Sequence, residues 1–352
     1  MSEAAFISWF ADVGVDHRQQ VGGKGASLGE LQRAGIAVPP GFVIRTEAFA
    51  RFLAGVEEQA PVRRRIESLP VNDLEAVTTC SNTLRALVEH TPLPPELLTE
   101  ILAAHAALLE QAGAARAAVA VRSSATTEDS SDASFAGLQD TFLWVMTTDQ
   151  LLDAVRRCWS SLYSTESISY RRRLGIPEEQ VAMAVVVQVM VDARTAGVMF
   201  TRSPTTGDRS VIAVEGSWGL GSAVVGGEVT PDRWAMGKIT GEIRVREISD
   251  KVTEHVPVAA GGVTAAPVPE SRRQQPCLSD VELGELCALA RRVEQHYRCA
   301  QDIEWAIDRH SGKLMILQSR PETVWSTRDA APRATAAGAA HEHVLALFRG
   351  PR

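Results

Sequence analysis

The sequence predicts an α+β chain. Apolar residues at helical spacing fill 46–112 and 149–173, and short apolar runs of strand character recur at 119–122, 181–191 and 301–321. In chain order, Val21-Gly22-Gly23-Lys24-Gly25 comes first, followed by an Ala-Ser-Leu-Gly-Glu-Leu run at 26–31 that reads as the opening turns of a helix. Glycines around one lysine let backbone approach an anion closely. The spacing is not that of a Walker A loop, and a plain turn into a helix explains the same residues. Residues 46–112, rich in Ala, Leu, Glu and Arg, read as helices broken at Pro70 and restarted by Thr91-Pro92-Leu93-Pro94-Pro95.

Val119 to Arg122 is a strand-like run that ends in an arginine and a hydroxyl-rich turn, Ser123-Ser124-Ala125-Thr126-Thr127. It is either a place for phosphate contacts or an exposed strand end. Ser134 to Leu143 supplies small residues, Gly137 as a hinge and the Thr141 hydroxyl, which suits a lid over a ligand. Asp149–Arg173 reads as one long helix with apolar residues at 151, 152, 155, 159 and 162, its Arg171-Arg172-Arg173 end solvated. Val181–Val191 is a buried central strand. Residues 253–276, with their prolines and glycines, read as a loose excursion, and 326–352 as a flexible tail.

The most informative stretch is Gln301–Asp308 followed by Leu314–Pro321, two strands joined by a turn at 309–313. Glu304 interrupts the first, between Ile303 and Trp305; Gln318 and Arg320, two apart, share one face of the second. A carboxylate and an amide oxygen on adjacent strands suit Mg²⁺, a hard ion that completes its shell with substrate phosphates. An arginine beside them grips phosphates bidentately. The plain alternative is a surface hairpin whose polar residues face water.

Bulk properties narrow the class. With 352 residues, 45% hydrophobic and 22% charged, the chain can bury a large core. A net charge of −7 argues against a general nucleic-acid binder. No stretch has the length of a membrane helix and Met1–Ala11 lacks a signal-peptide pattern, so a cytoplasmic protein is expected. Cysteines 80, 158, 277, 287 and 299 are odd in number and scattered, which fits inert thiols in a reduced compartment.

Several motifs in fixed order resemble the nucleotide-binding domain of the dikinase family, which includes phosphoenolpyruvate synthase, pyruvate phosphate dikinase, rifampicin phosphotransferase and the phenylphosphate synthases. They are GGKGASLGEL at 22–31, VPPGFVI at 38–44, VRSSATTEDSSDASFAGLQDTFL at 121–143, GVMFTRSP at 197–204, EGSWGLGSAVVGGEVTPD at 215–232, LSD at 278–280, QDIEWAID at 301–308 and LQSRPETVW at 317–325. The resemblance covers about residues 18–325. It implies an ATP-grasp fold with ATP and Mg²⁺ between two α+β lobes, 1–187 and 188–325, and 326–352 outside them. It further implies phosphate contacts from Lys24, Arg122 and Arg320 and a lid from Gly137 to Thr141. Adenine would lie along Gln188, Val189, Met190 and Val191, and Mg²⁺ between Glu304 and Gln318. One departure is Leu138, where the family lid usually carries glutamine.

The resemblance also implies a partner. Dikinases pass the β-phosphoryl group of ATP to a histidine on a swivelling domain, in a Gly-Gly-x-x-Ser/Thr-His context, leaving AMP. Histidines 17, 90, 105, 255, 296, 310, 341 and 343 show no such context. A histidine-bearing carrier subunit or domain and an acceptor small molecule bound by that partner are therefore expected elsewhere; a separate subunit is favoured, and a piece of a longer enzyme stays open. Two alternatives stay open: a stand-alone ATP-grasp kinase or ligase for a small molecule, and a non-catalytic nucleotide-binding module.

Overall fold

The computed structural model describes residues 6–70, 73–113, 117–126 and 140–326, with the backbone of two short strands at 129–130 and 133–134. Gly137 and Leu138 of the expected lid, and the expected tail beyond Ser326, lie outside the described residues.

The chain builds two sheets in succession. The first takes β1 (Ile7–Trp9), β2 (Gly41–Ile44), β3 (Val119–Ala125), β6 (Thr141–Val145) and β7 (Met183–Val189) in the order β1-β2-β7-β3-β6; β4 (Asp129–Ser130) and β5 (Ala133–Ser134) pair separately. β7 is central, and Met183 to Val187 are fully buried, as an unbroken apolar run requires when both faces are covered. Helices α2 (Thr46–Gln59), α3 (Val62–Glu67), α4 (Leu74–His90) and α5 (Pro95–Gln111) fill the expected helical stretch. α5 begins with Pro95 at its first position, as the proline-rich start signal predicts.

The long helix expected over 149–173 is two: α6 (Thr148–Ser160) and α7 (Thr165–Leu174), joined by a single 3₁₀ turn at Ser161–Tyr163. Serine chemistry makes the break. Ser161 Oγ donates to Cys158 O at 2.7 Å, and Ser164 Oγ accepts from Ser167 N at 3.1 Å as the cap of α7. The turn also buries Arg171, expected to be solvated; it is 1% exposed and donates to both carboxylate oxygens of Glu178, at 3.0 and 3.1 Å.

The second sheet follows with β8 (Ala193–Phe200), β9 (Val211–Trp218), β10 (Asp232–Gly237), β11 (Ile243–Glu247), β14 (Gln301–Asp308) and β15 (Leu314–Pro321), ordered β11-β10-β9-β8-β14-β15. A short helix, α8 (Ser222–Val225), follows β9. The stretch read as a loose excursion is structured: β12 (Thr253–Pro257) and β13 (Val263–Pro267) form a hairpin and α9 (Glu270–Arg273) follows. α10 (Asp280–Tyr297) packs Leu283, Leu286, Ala290 and Val293 on this sheet, starting from a Ser279–Glu282 capping box.

One helix belongs to both halves. α1 (Arg18–Arg33) breaks its helical course at Gly22, whose φ of 69° and ψ of 178° separate a short first segment from the rest. The glycine-rich loop expected there is therefore a kink, and Gly23-Lys24-Gly25 open the second segment. Val21, Ala26 and Leu28 pack against Val43, Ala184 and Val186 of the first sheet, while Leu31 joins the core of the second.

Candidate functional site

α1 is seated by hydrogen bonds on both sheets. Ser124 Oγ donates to Val21 O at 2.9 Å and accepts from Gly25 N at 3.2 Å, bridging the kink. A Cβ at Gly22 would lie 2.1 Å from Ser124 O, so glycine is required there by space as well as by φ. On the other side Ser27 Oγ donates to Ser319 O at 2.6 Å, and Tyr297 OH donates to Ser27 O at 3.2 Å. Burial pushes the Tyr297 hydroxyl up to about 12, so it stays a donor. Lys24 is carried on this segment, half-buried, with electrostatic reach to Cys158.

The first two hydroxyls of the run after Arg122 bond to backbone. β3 continues through Ala125, so Arg122 sits mid-strand, and Ser123 and Ser124 are fully buried. Ser123 N and Oγ both donate to Asp140 O, at 3.2 and 3.1 Å, fixing the start of β6.

Arg122 reaches out of the first sheet to the second. Its guanidinium donates to Glu304 Oε2 at 3.0 Å, to Gln318 Oε1 at 2.5 Å and to Leu317 O at 3.3 Å. Glu304 and Gln318 stand directly opposite each other across β14 and β15. Their oxygens converge on one cation, the Arg122 guanidinium. The Arg122 Nε is buried without a partner among the described residues. Arg320 lies two residues past Gln318 and pairs with Asp302, Nε to Oδ2 at 3.3 Å. Burial raises the Asp302 carboxyl above its ordinary range, and Arg320 only partly counters that.

A cleft of about 330 Å³ opens beside this cluster. Arg122, Thr141, Gln188, Val189, Met190, Val191 and Glu304 all line it, so most residues named from sequence meet in one place. Lys24, Gln318 and Arg320 do not line it, although Gln318 touches Arg122. Gln188 is 3% exposed and its Nε2 has no partner among the described residues. The N–H groups of Val189 and Met190 are already spent on Pro40 O and Ala118 O, both at 2.9 Å.

Sequence reasoning missed the opposite wall. Leu220, Gly221, Ser222, Val225 and Gly226 line the cleft from the segment after β9. Their signal was the GLGS of the 215–232 motif, quoted as resemblance but given no role. Gly219 takes φ of 73° and packs on His255 O, where a Cβ would lie at 2.5 Å. At the end of the same motif Asp232 is structural: its carboxylate accepts from Lys251 Nζ at 2.6 Å, Ser249 N at 2.9 Å and Cys277 N at 2.9 Å, with acid and lysine both fully buried. A second cavity of about 690 Å³ adjoins the cleft and shares Thr141, Leu143 and Ser222 with it.

The sequence profile of the family described as pyruvate phosphate dikinase, AMP/ATP-binding domain, matches residues 18–340. The chain belongs to this family. A probable phosphoenolpyruvate synthase of Methanothermobacter thermautotrophicus is 42% identical over 318 residues, covering 90% of this chain and 46% of that protein. A rifampicin phosphotransferase of a Streptomyces species is 43% identical, covering 89% of this chain and 35% of that protein. Phosphoenolpyruvate synthase of Pyrococcus furiosus is 37% identical, covering 90% and 44%. The chain thus spans a third to a half of these relatives. Among solved structures, the ADP complex of N5-carboxyaminoimidazole ribonucleotide synthetase matches 72% of this chain and 58% of that one, at 10% identity and a TM-score of 0.24.

The architecture is the two-lobed α+β arrangement expected of an ATP-grasp domain, and the chain is an ATP-binding domain of dikinase type. The described residues contain no helix long and apolar enough to cross a membrane.

Proposed function

We propose that the cleft binds Mg-ATP and presents its β-phosphoryl group to a histidine on a partner domain or subunit, with AMP as product. The observation that supports this best is Arg122, which leaves the first sheet to meet Glu304 and Gln318 of the second at the mouth of a cleft lined by Gln188–Val191. A base laid along Gln188–Val191 takes a hydrogen bond from the unpartnered Gln188 Nε2, and its triphosphate then runs toward Arg122. We place the boundary between the lobes at Met190–Asp192, just after β7 and slightly beyond the expected 187/188 division, so that the base lies at the joint.

The donor set fits a divalent ion. Glu304 Oε2 and Gln318 Oε1 already share one cation, and the described residues contain no group of three or more His, Cys, Asp or Glu suited to a metal. Two protein oxygens with phosphate oxygens completing the shell is the arrangement Mg²⁺ favours. When bound there, the ion neutralises charge on the migrating phosphoryl group. Arg122 is then free to turn its guanidinium, including the unpaired Nε, onto the phosphates. Arg320 leaves its exposed pairing with Asp302 for the same anion, and Lys24 approaches from the start of the second α1 segment. These cations stabilise charge on the oxygens between phosphates. Thr141, at the end of the expected lid, bounds the site where water must be excluded.

The acceptor histidine comes from outside, since no histidine lines the cleft among the described residues. The phosphoenolpyruvate synthases and the rifampicin phosphotransferase are longer proteins, and their remaining length has room for a carrier domain and an acceptor site. Calorimetry with Mg²⁺ and ATP tests the reading. Wild type binds, and Lys24→Ala or Arg320→Ala each loses roughly 1.5–3 kcal/mol of a charge-assisted contact. AMP appears only when a histidine-bearing partner and its acceptor are supplied. Steady conversion of ATP to ADP by the chain alone, with phosphorylation of a small molecule, would replace this reading with the stand-alone kinase.

A further inference from the structure

Across the cleft from Gln188–Val191, Ser222 carries a hydrogen-bonded chain that the phosphate chemistry does not use. Ser222 Oγ lies 2.8 Å from His255 Nδ1, and His255 Nε2 lies 3.2 Å from Glu228 Oε2. Ser222 lines both the cleft and the larger cavity, whereas His255 and Glu228 line only the latter. The three are held by backbone. Leu220 N donates to His255 O at 3.0 Å, and Glu228 N donates to Ala223 O at 3.0 Å at the end of α8. Gly219, unable to accept a Cβ against His255 O, permits β12 to approach this closely.

The chemistry of the chain has a direction. A carboxylate only accepts, so in the neutral tautomer this pairing selects, His255 Nε2–H donates to Glu228 and the lone pair lies on Nδ1. Ser222 must donate its hydroxyl proton to that lone pair. What remains at Ser222 Oγ is acceptor capacity alone, on a residue that lines the cleft. Any ligand group recognised there has to be a donor.

We propose that Ser222, polarised by His255 and Glu228, recognises a sugar hydroxyl of the nucleotide and makes the site selective for a ribonucleotide; this rests on the reading of the cleft as the ATP site. A base against Gln188–Val191 and phosphates toward Arg122 leave the sugar in between. Of the polar side chains lining the cleft, Gln188 is assigned to the base, and Arg122, Thr141 and Glu304 to the triphosphate and its ion. Ser222 and the Trp305 indole remain, and of the two only Ser222 can accept from a hydroxyl, since an indole N–H donates only. A site built to bond a hydroxyl rejects the analogue that lacks it, because its own polar group is then left unpaired.

The test compares ATP, 2′-deoxy-ATP and 3′-deoxy-ATP on the full chain with Mg²⁺ by calorimetry. Wild type is expected to bind one or both deoxy analogues roughly tenfold more weakly than ATP. Ser222→Ala is expected to bind ATP as weakly as wild type binds the analogue, with the preference gone. Glu228→Gln, a change at an exposed position that leaves the fold intact, can donate to His255 Nε2, which releases the fixed proton order and lowers the preference. A merely structural Ser222 would shift all three ligands alike. Equal binding of the three by wild type, or an unchanged preference in either variant, overturns the proposal. Wild type that binds none of them overturns the nucleotide reading itself, and this one with it.

Discussion

The second half of the molecule carries two hairpins that both touch the first half, in opposite ways. β14–β15 lies within a six-stranded sheet, with Ile303, Trp305, Ile307 and Ile316 buried in the core beneath it. Its outer strand is tied across the lobes by Ser27 to Ser319 O at 2.6 Å, Ile316 N to Ala37 O at 2.9 Å, and Arg122 to Leu317 O at 3.3 Å. β12–β13 is a separate two-stranded ribbon whose Thr264 and Ala265 are exposed. Its tip meets the first half through Gln150 Nε2 to Ala260 O at 2.8 Å and Gly262 N to Trp144 O at 2.9 Å. The charges proposed to grip the phosphates and their ion sit on the hairpin that a sheet holds rigid. Among the described residues, the ribbon that lines the larger cavity meets the first half through only these two hydrogen bonds at its tip, and such contacts open at low cost.

Gly22→Ala should break the rigid side most severely. The new Cβ meets Ser124 O at 2.1 Å and the residue must hold φ of 69°. Strain and clash together are expected to cost more than about 3 kcal/mol, because Ser124 fastens α1 and α1 in turn fastens β15. Urea unfolding measures it. A loss under roughly 1 kcal/mol would show that α1 is not what fixes the charged hairpin.

The same contrast explains what could be read from the sequence. Glu304, Gln318 and Arg320 were legible because a polar residue inside an apolar strand is rare, and strand period fixes which residues share a face. Gln188 and its neighbours followed from resemblance, and the structure puts them in the same cleft. The β12–β13 ribbon was not legible: Pro257, Gly261, Gly262 and Pro267 mark its ends and tip, and with little apolar periodicity between them the segment looks like a loop. Ser222 and His255 are 33 residues apart, and nothing local says that they meet. The break after α6 was missed because serine hydroxyls compete with the helix backbone, a signal weaker than the apolar stripe running across it.

At the ribbon's tip, Gln150→Ala removes the bond to Ala260 O and the bonds that Gln150 Oε1 accepts from Met146 N at 2.8 Å and Thr147 N at 3.3 Å, the latter part of the capping box of α6. The expected loss is about 1 kcal/mol, well below that of Gly22→Ala. Hydrogen exchange at residues 260–262 should speed up, while exchange along β14 and β15 stays as in wild type. Equal acceleration in both hairpins would mean that they open as one unit and would erase the contrast.

The smallest effect probes the rigid hairpin's own electrostatics. Burial raises the Asp302 carboxyl above its ordinary 3.8, Arg320 lowers it in part, and Glu322 adds to the rise. A carboxyl with a folded-state value above its unfolded one holds its proton in the fold where the unfolded chain has lost it. Stability from this group is therefore present below 3.8 and declines as pH rises through the raised folded value. Asp302→Asn removes that decline. It also removes the pairing with Arg320, but the Arg320 side chain is 48% exposed, and such a pair contributes roughly 0–1 kcal/mol. Burial should thus decide the sign: measured by urea unfolding across pH, the variant gains on wild type as pH rises from below 3.8 toward neutral. If it loses ground instead, the ion pair outweighs burial, and Arg320 is held more tightly than its proposed move onto the phosphates allows.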